Sequence, residues 1–305
     1  MENVRNCIYD VNERPKKLLH WIIYPLQILI ACFVATVLIS VITNTPTSAV
    51  LVGAGLGTIV HALITKFKSP MMISSSGAMA PAVIGALTLG NAVSQNFTAV
   101  FVGSLCFLAV YIILSLTVKF AGQKTLDKLF PPRVIGPVVI TLGASLAAFI
   151  PTYTNALGIS SNWEVYIAFA VMFVIAITSH YGKGFIGSIA FLVGIAFGYA
   201  VATVLTLTDT CPLIDFSVFK NTGFFQMPDF AFFHIDFVND FSWDMLPSII
   251  TLFLPVAIAC SLENLSDNKA LSAVIGHDLY KDPGMARIYI GNGVATVVGC
   301  FVAVS

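Results

Sequence analysis

Two carboxylates draw attention first. Glu263 and Asp267 stand at the end of Trp243 to Asp267, WDMLPSIITLFLPVAIACSLENLSD, an apolar run long enough to cross a bilayer. A carboxylate at membrane depth costs about 2.5–3.5 kcal/mol on insertion scales, so it usually faces a cavity or a partner and has a job there. Spacing of i and i+4 puts both groups on one helix face. The competing reading of Glu263 is a helix-end carboxylate that snorkels to the cytoplasmic interface, since Lys269 follows within two turns. An acid/base enzyme built on the pair would need a second catalytic constellation or a metal set, and neither accompanies it, so no enzyme is expected.

The second polar feature is PMMISSSGAMAPAVIGALTLG, residues 70–90. Pro70, the run Ser74, Ser75, Ser76, Gly77 and Pro81 interrupt backbone hydrogen bonding. Such backbone is tolerated at membrane depth only where it is buried in protein or lines a cavity. The expectation is an extended piece followed by a half-helix beginning near Gly77, whose free N–H groups and positive dipole end face a bound polar ligand. A tight helix contact made by small residues is the alternative. Gln27 is open in the same way, because a glutamine in an apolar helix also serves as an interhelical hydrogen bond worth about 0.6 kcal/mol.

The elements that must position these groups follow from composition. The chain has 305 residues, 57% hydrophobic and 10% charged, with a mean hydropathy of +0.91. A soluble domain of this length needs more charge to coat its surface, so the chain reads as an all-α polytopic membrane protein. A spanning helix takes roughly 20 apolar residues, which places nine segments at about 21–43, 48–65, 70–90, 97–119, 132–152, 164–181, 185–208, 243–265 and 285–304. With the N-terminus in the cytoplasm, Lys220 alone of the fifteen Lys and Arg lies outside, a strong positive-inside bias. The expected location is the cell inner (plasma) membrane.

Residues 1–20 mix both signs of charge and lack the short apolar core and cleavage site of a signal peptide. The external stretch 209–242 is crowded with phenylalanine, which suggests a segment lying at the membrane surface or capping the bundle. Net charge is zero, which gives no support to a nucleic-acid partner. The six scattered cysteines read as small apolar fillers. No phosphate loop, GxSxG elbow or metal-ligating His pair appears, so no cofactor or metal is expected. Of the five histidines only His61 is placed to sit inside the membrane.

Several motifs then line up. Phe130 to Val139, FPPRVIGPVV, followed by Gly143-Ala144-Ser145-Leu146-Ala147, resembles the start of the fifth helix in the nucleobase/ascorbate transporter family, the uracil and xanthine permeases (nucleobase:cation symporter-2). Ser74 to Pro81 resembles that family's broken third helix, and Phe225 to Phe230 its piece ahead of the eighth. Asp278 to Gly284, with Gly291-Asn292-Gly293, resembles the approach to the ninth.

The resemblance implies an inverted-repeat fold with core and gate domains, about nine of the expected fourteen transmembrane segments being present and the third helix broken. Residues 1–20 become a cytoplasmic N-terminal segment, 21–119 core helices one to four, 120–208 gate helices five to seven, 209–242 the external loop and 243–305 core helices eight and nine. Glu263 falls on the family's substrate-binding glutamate. Asp267 replaces a residue that is Asp in purine-type members and His in uracil-type ones. A nucleobase edge presents ring N–H donors beside carbonyl acceptors, so the carboxylate takes the former and the half-helix N–H groups meet the latter.

Ser75, Ser76, Gly77, Ala78 and Gln27 complete the expected substrate site, and Glu263 with Asp267 the proton relay. The implied activity is import of a uracil- or xanthine-like base by proton symport across the lipid bilayer, with the family's homodimer as the expected assembly. Two departures accompany this. The family's Gln-His pair reads Gln27-Ile28, and Ser76 replaces the aromatic usual in uracil-type members. The sequence also stops before the family's tenth helix. The expectation is therefore a C-terminally truncated chain, a half-transporter completed by a second polypeptide, or a non-transporting membrane protein.

Overall fold

The computed structural model describes residues 18–90, 95–121, 162–182, 189–208, 213–214 and 227–303, with single positions at 186 and between 133 and 144. Regular structure among the described residues is helical. The helices are α1 (Leu18–Thr43), α2 (Thr47–Ile64), α3 (Ala80–Leu87), α4 (Phe97–Ala121), α5 (Asn162–Tyr181), α6 (Ala190–Leu207), α7 (Leu246–Ile275) and α8 (Met285–Val302). Among the described residues six helical stretches are long and apolar enough to cross a membrane: Thr47–Ile64, Phe97–Phe120, Trp163–Tyr181, Ala190–Leu207, Trp243–Ala273 and Tyr280–Val302.

The chain divides into two compact units. One comprises residues 1–11, 34–150 and 228–305, the other 12–33 and 151–227, so the division runs through α1.

In the first unit α2, α4 and α7 run in one direction. Gln95 donates its amide to the Thr43 and Asn44 carbonyls, and Asn96 donates to the Leu89 and Asp240 carbonyls, which ties the starts of these helices together. Asn96 also caps α4, its Oδ1 accepting from the Ala99 N–H at 2.8 Å. α8 returns against α2 and α4. At its beginning Ala286 accepts from the Ser115 hydroxyl at 2.8 Å, and Lys68 meets Asp282 at 2.7 Å. Small residues allow the close crossings. A Cβ on Gly57 would stand 3.1 Å from the Ala295 carbonyl oxygen, and one on Gly293 2.8 Å from Leu108. Ile249, Phe253, Leu265, Ile288 and Tyr289 form the fully buried centre.

Phe230, Phe232 and Phe233 cluster over Phe301 of α8, while Phe237 meets Phe101 of α4. This part of the aromatic stretch packs over one end of α8 and α4.

The second unit is simpler. α5 and α6 pack on each other, with Gly194 and Gly198 of α6 against Ile175 and Val171 of α5. Their outer faces carry Phe169, Phe173, Ile177, Phe191, Tyr199 and Val204, all exposed, the surface a lipid environment accepts.

Seven of the nine expected segments are helices, six of them within about five residues of their expected bounds, the third is broken, and the fifth lies outside the described residues apart from a few positions. The largest boundary difference is α7, which runs to Ile275 rather than stopping near 265. Hydropathy marks where the chain becomes polar, whereas backbone hydrogen bonding continues. Asn268 donates to the Asn264 carbonyl at 2.8 Å, Ser272 to that of Asn268, and Tyr280 to that of Leu265. The helix ends where Gly276 takes a left-handed conformation, φ 68°, that suits glycine. Thirty residues make α7 about 45 Å long, more than a hydrocarbon core of about 30 Å requires.

Candidate functional site

The stretch after α2 re-enters the first unit without helical hydrogen bonds of its own. Its backbone is satisfied from the side: the Thr58 hydroxyl of α2 accepts from the Ile73 N–H at 3.1 Å and lies 2.8 Å from the Ile73 carbonyl oxygen. Ser76 then starts the half-helix. Its side chain accepts from the Ala78 N–H at 3.3 Å, and one turn of 3-10 helix, Gly77–Met79, leads into α3. Pro81 sits in the first turn of α3, where its missing N–H costs nothing. α3 then runs to Leu87, whose carbonyl accepts from the Asn96 N–H near the start of α4.

A cavity of about 310 Å³ lies beside this break, at the lower end of the range for small-ligand sites. Ser74, Ser75, Ser76 and Gly77 form one wall. α7 supplies Cys260, Glu263, Asn264 and Asp267 from the opposite side, α4 supplies Phe107 and Tyr111, and α8 supplies Asn292 and Thr296. Glu263 is half-buried and Asp267 exposed. Ser75 is buried and its hydroxyl has no hydrogen-bond partner in the protein, a state that buried polar groups normally avoid. Cys260 Sγ lies 3.9 Å from Ser76 Oγ, linking the α7 wall to the break.

Aromatic packing stiffens the remaining wall. The Phe107 and Tyr111 rings stack at 4.6 Å, and Tyr289 meets Tyr111 edge-on at 5.4 Å. The Tyr289 hydroxyl in turn donates to the Ser261 carbonyl at 3.2 Å, two residues before Glu263.

The structure thus brings Glu263, Asp267, Ser75, Ser76 and Gly77 to one cavity. Ala78 is half-buried and does not line it; its N–H is taken by Ser76. Gln27 is on α1 in the second unit, and its side chain lies outside the described residues. Among the lining residues the sequence did not single out as candidates are Phe107, Tyr111, Cys260, Asn264, Asn292 and Thr296. Phe107 with Tyr111, and Asn292 with Thr296, repeat the i, i+4 spacing of Glu263 and Asp267, but only the carboxylates break the hydropathy strongly enough to be noticed.

The xanthine/uracil permease model, described as the permease family, matches residues 19–305. The chain belongs to this family. It is 32% identical to the uracil permease of Bacillus caldolyticus, covering 95% of this chain and 64% of that protein. It is 33% identical to the probable uracil permease of Pasteurella multocida, covering 90% and 62%, and 30% identical to the uracil permease of Escherichia coli strain K12, covering 95% and 63%. The chain therefore spans somewhat less than two thirds of the length of these relatives. Membership in a permease family, with six helical stretches among the described residues long and apolar enough to span a bilayer, makes it a multi-pass membrane protein.

Proposed function

We propose that the cavity is the base-binding site of a proton-coupled nucleobase importer in the plasma membrane. The observation that carries this reading is the meeting of Glu263 with the break at Ser75, Ser76 and Gly77 across one cavity. Glu263 accepts hydrogen bonds from ring N–H groups of the base. The start of the half-helix, where Ser76 already holds the Ala78 and Met79 N–H groups, turns the positive end of its dipole to the base's carbonyl oxygens. Ser75, whose hydroxyl lacks a partner in the protein, donates to the ligand. Asp267, one turn on and more exposed, passes the coupling proton as the site opens and closes.

The relatives are named uracil permeases, which supports a pyrimidine substrate. Asp267 and Ser76 resemble the purine-type pattern instead, so xanthine is the second base to test. The same reading takes the first unit as the main part of the moving core, the second as part of the gate, and the N-terminus as cytoplasmic.

The test is thermal stabilisation of the purified chain by uracil, xanthine, hypoxanthine, guanine and uric acid, with Glu263→Gln as control, since a ligand that binds the native state raises its apparent stability. A shift with one base that the variant loses supports the site and names the substrate. A shift that the variant keeps overturns the role of Glu263.

A further inference from the structure

A second pair of polar side chains adjoins the cavity, and the base-binding reading leaves it without a role. Asn292 of α8 is 7% exposed, lines the same cavity as Glu263, and has a buried Oδ1 with no hydrogen-bond partner. Behind it, His61 of α2 is fully buried, and neither ring nitrogen has a partner of good geometry. The imidazole faces the Asn292 carboxamide. It is pressed so closely against α8 that a Cβ on Gly291 would come within 2.8 Å of its Nδ1. Gly57, one turn before His61, and Ala295 of α8 make the close crossing that brings the two side chains together. A contact that served packing alone would be filled better by two apolar side chains, because buried polar groups left unpaired destabilise a fold.

We propose that Asn292 determines specificity by reading a carbonyl oxygen of the bound base, and that His61 is the positioning residue that aims it. A neutral imidazole carries one N–H and one lone pair. When the N–H turns to Asn292 Oδ1, the carboxamide is fixed with its NH2 group toward the cavity. Glu263 then presents acceptors and Asn292 a donor, which together match a ring N–H beside a carbonyl. A base with an exocyclic amine in place of that carbonyl sets donor against donor and is rejected, the kind of discrimination a site built for hydrogen bonding achieves. The inference rests on the nucleobase reading above.

Thio-substituted bases test it, because sulfur in place of oxygen keeps the ring N–H groups and weakens the acceptor. Dissociation constants of the full-length chain are measured by calorimetry for uracil and xanthine, for 2- and 4-thiouracil, and for 2- and 6-thioxanthine. The native chain is expected to disfavour one thio isomer of its base by about tenfold, the worth of one hydrogen bond. Asn292→Leu should weaken the parent base by about the same factor and abolish discrimination against that isomer alone. His61→Leu should move the same ratio in the same direction, and His61→Gln, which keeps an N–H donor, should restore it. A role in folding alone would not change a ratio between isomers. If Asn292→Leu does not fold, Asn292→Asp, which replaces the amide donor with an acceptor, should lose the same discrimination.

Discrimination that persists in the Asn292 variant, or is absent from the native chain, overturns the proposal. The base-binding reading would still stand if Glu263→Gln abolished binding. No binding of any base by the native chain overturns both.

Discussion

The two units solve the same problem, apolar helices in a bilayer, with different chemistry. In the second unit α5 and α6 meet through Gly194, Gly198, Val171 and Ile175, and turn large apolar side chains outward. The first unit also uses glycines for close approach, but it encloses Ser75, His61, Asn292 and the half-buried Glu263 around a cavity beside a broken helix. Polar groups within a membrane are costly and are kept where they do something. The contrast places a cavity with polar walls in the first unit, whereas the described helix contact of the second is apolar.

The strongest way to break this comparison is Glu263→Gln. The amide offers a donor where the base already has one, so base affinity should fall roughly a hundredfold or more while the variant still inserts and folds, as read by calorimetry and size-exclusion profiles. Next comes Asp267→Asn, which should flatten the pH dependence of base uptake in proteoliposomes and leave equilibrium binding nearly unchanged. An unaltered pH profile would remove Asp267 from the relay.

A matched pair of glycines sharpens the comparison on stability. A Cβ on Gly103 of α4 would lie 2.2 Å from the ring of Phe253, which is fully buried, and one on Gly194 would lie 2.2 Å from Cγ1 of the half-buried Ile175. Gly103→Ala should destabilise by about 1–3 kcal/mol, because a locked ring cannot move aside. Gly194→Ala should cost less, because Ile175 is only half-buried and has room to shift, and alanine offsets part of the clash by favouring a helix over glycine by about 1 kcal/mol. Thermal unfolding of both variants in one detergent decides the order.

The smallest effect lies outside the spans, at Asp236. The Asn239 carboxamide, then the N–H groups of Val238 and Asn239, hold its carboxyl below the usual carboxylate range. A group depressed in the folded state stabilises above its unfolded pKa of about 3.9 and loses that contribution as pH falls through the folded value. Asp236→Asn should therefore slightly lower the melting temperature at pH 7 and make no difference in strong acid.

The spans, the break at Ser74 to Gly77 and the two carboxylates were legible because each departs from its surroundings: apolar against charged, proline and glycine against helix formers, an acid against hydrocarbon. Phe107, Tyr111 and Thr296 were not legible. Each is an ordinary member of an apolar helix, and its place at the cavity depends on how α4 and α8 are rotated, which the crossings at Gly57 and Gly293 set. Asn292 was half legible: an asparagine between two glycines stood out as part of a motif, but its neighbour His61 lies more than two hundred residues earlier in the chain, beyond any local reading. The extension of α7 past 265 was hidden for another reason, since side chains such as Asn268, Ser272 and Tyr280 hold that turn together after hydropathy has ended.

The return of α8 against α2 and α4 has a consequence for the order in which the molecule is made. α2 and α4 leave the ribosome long before α8, and each is apolar enough to enter the bilayer alone. Until α8 arrives, the sides of α2 and α4 that will receive it, His61 among them, must wait in lipid or against a temporary neighbour. The cavity is thus a late product of synthesis: a nascent chain halted after α6 would carry α2, the break and α4, and would still lack the walls that α7 and α8 supply.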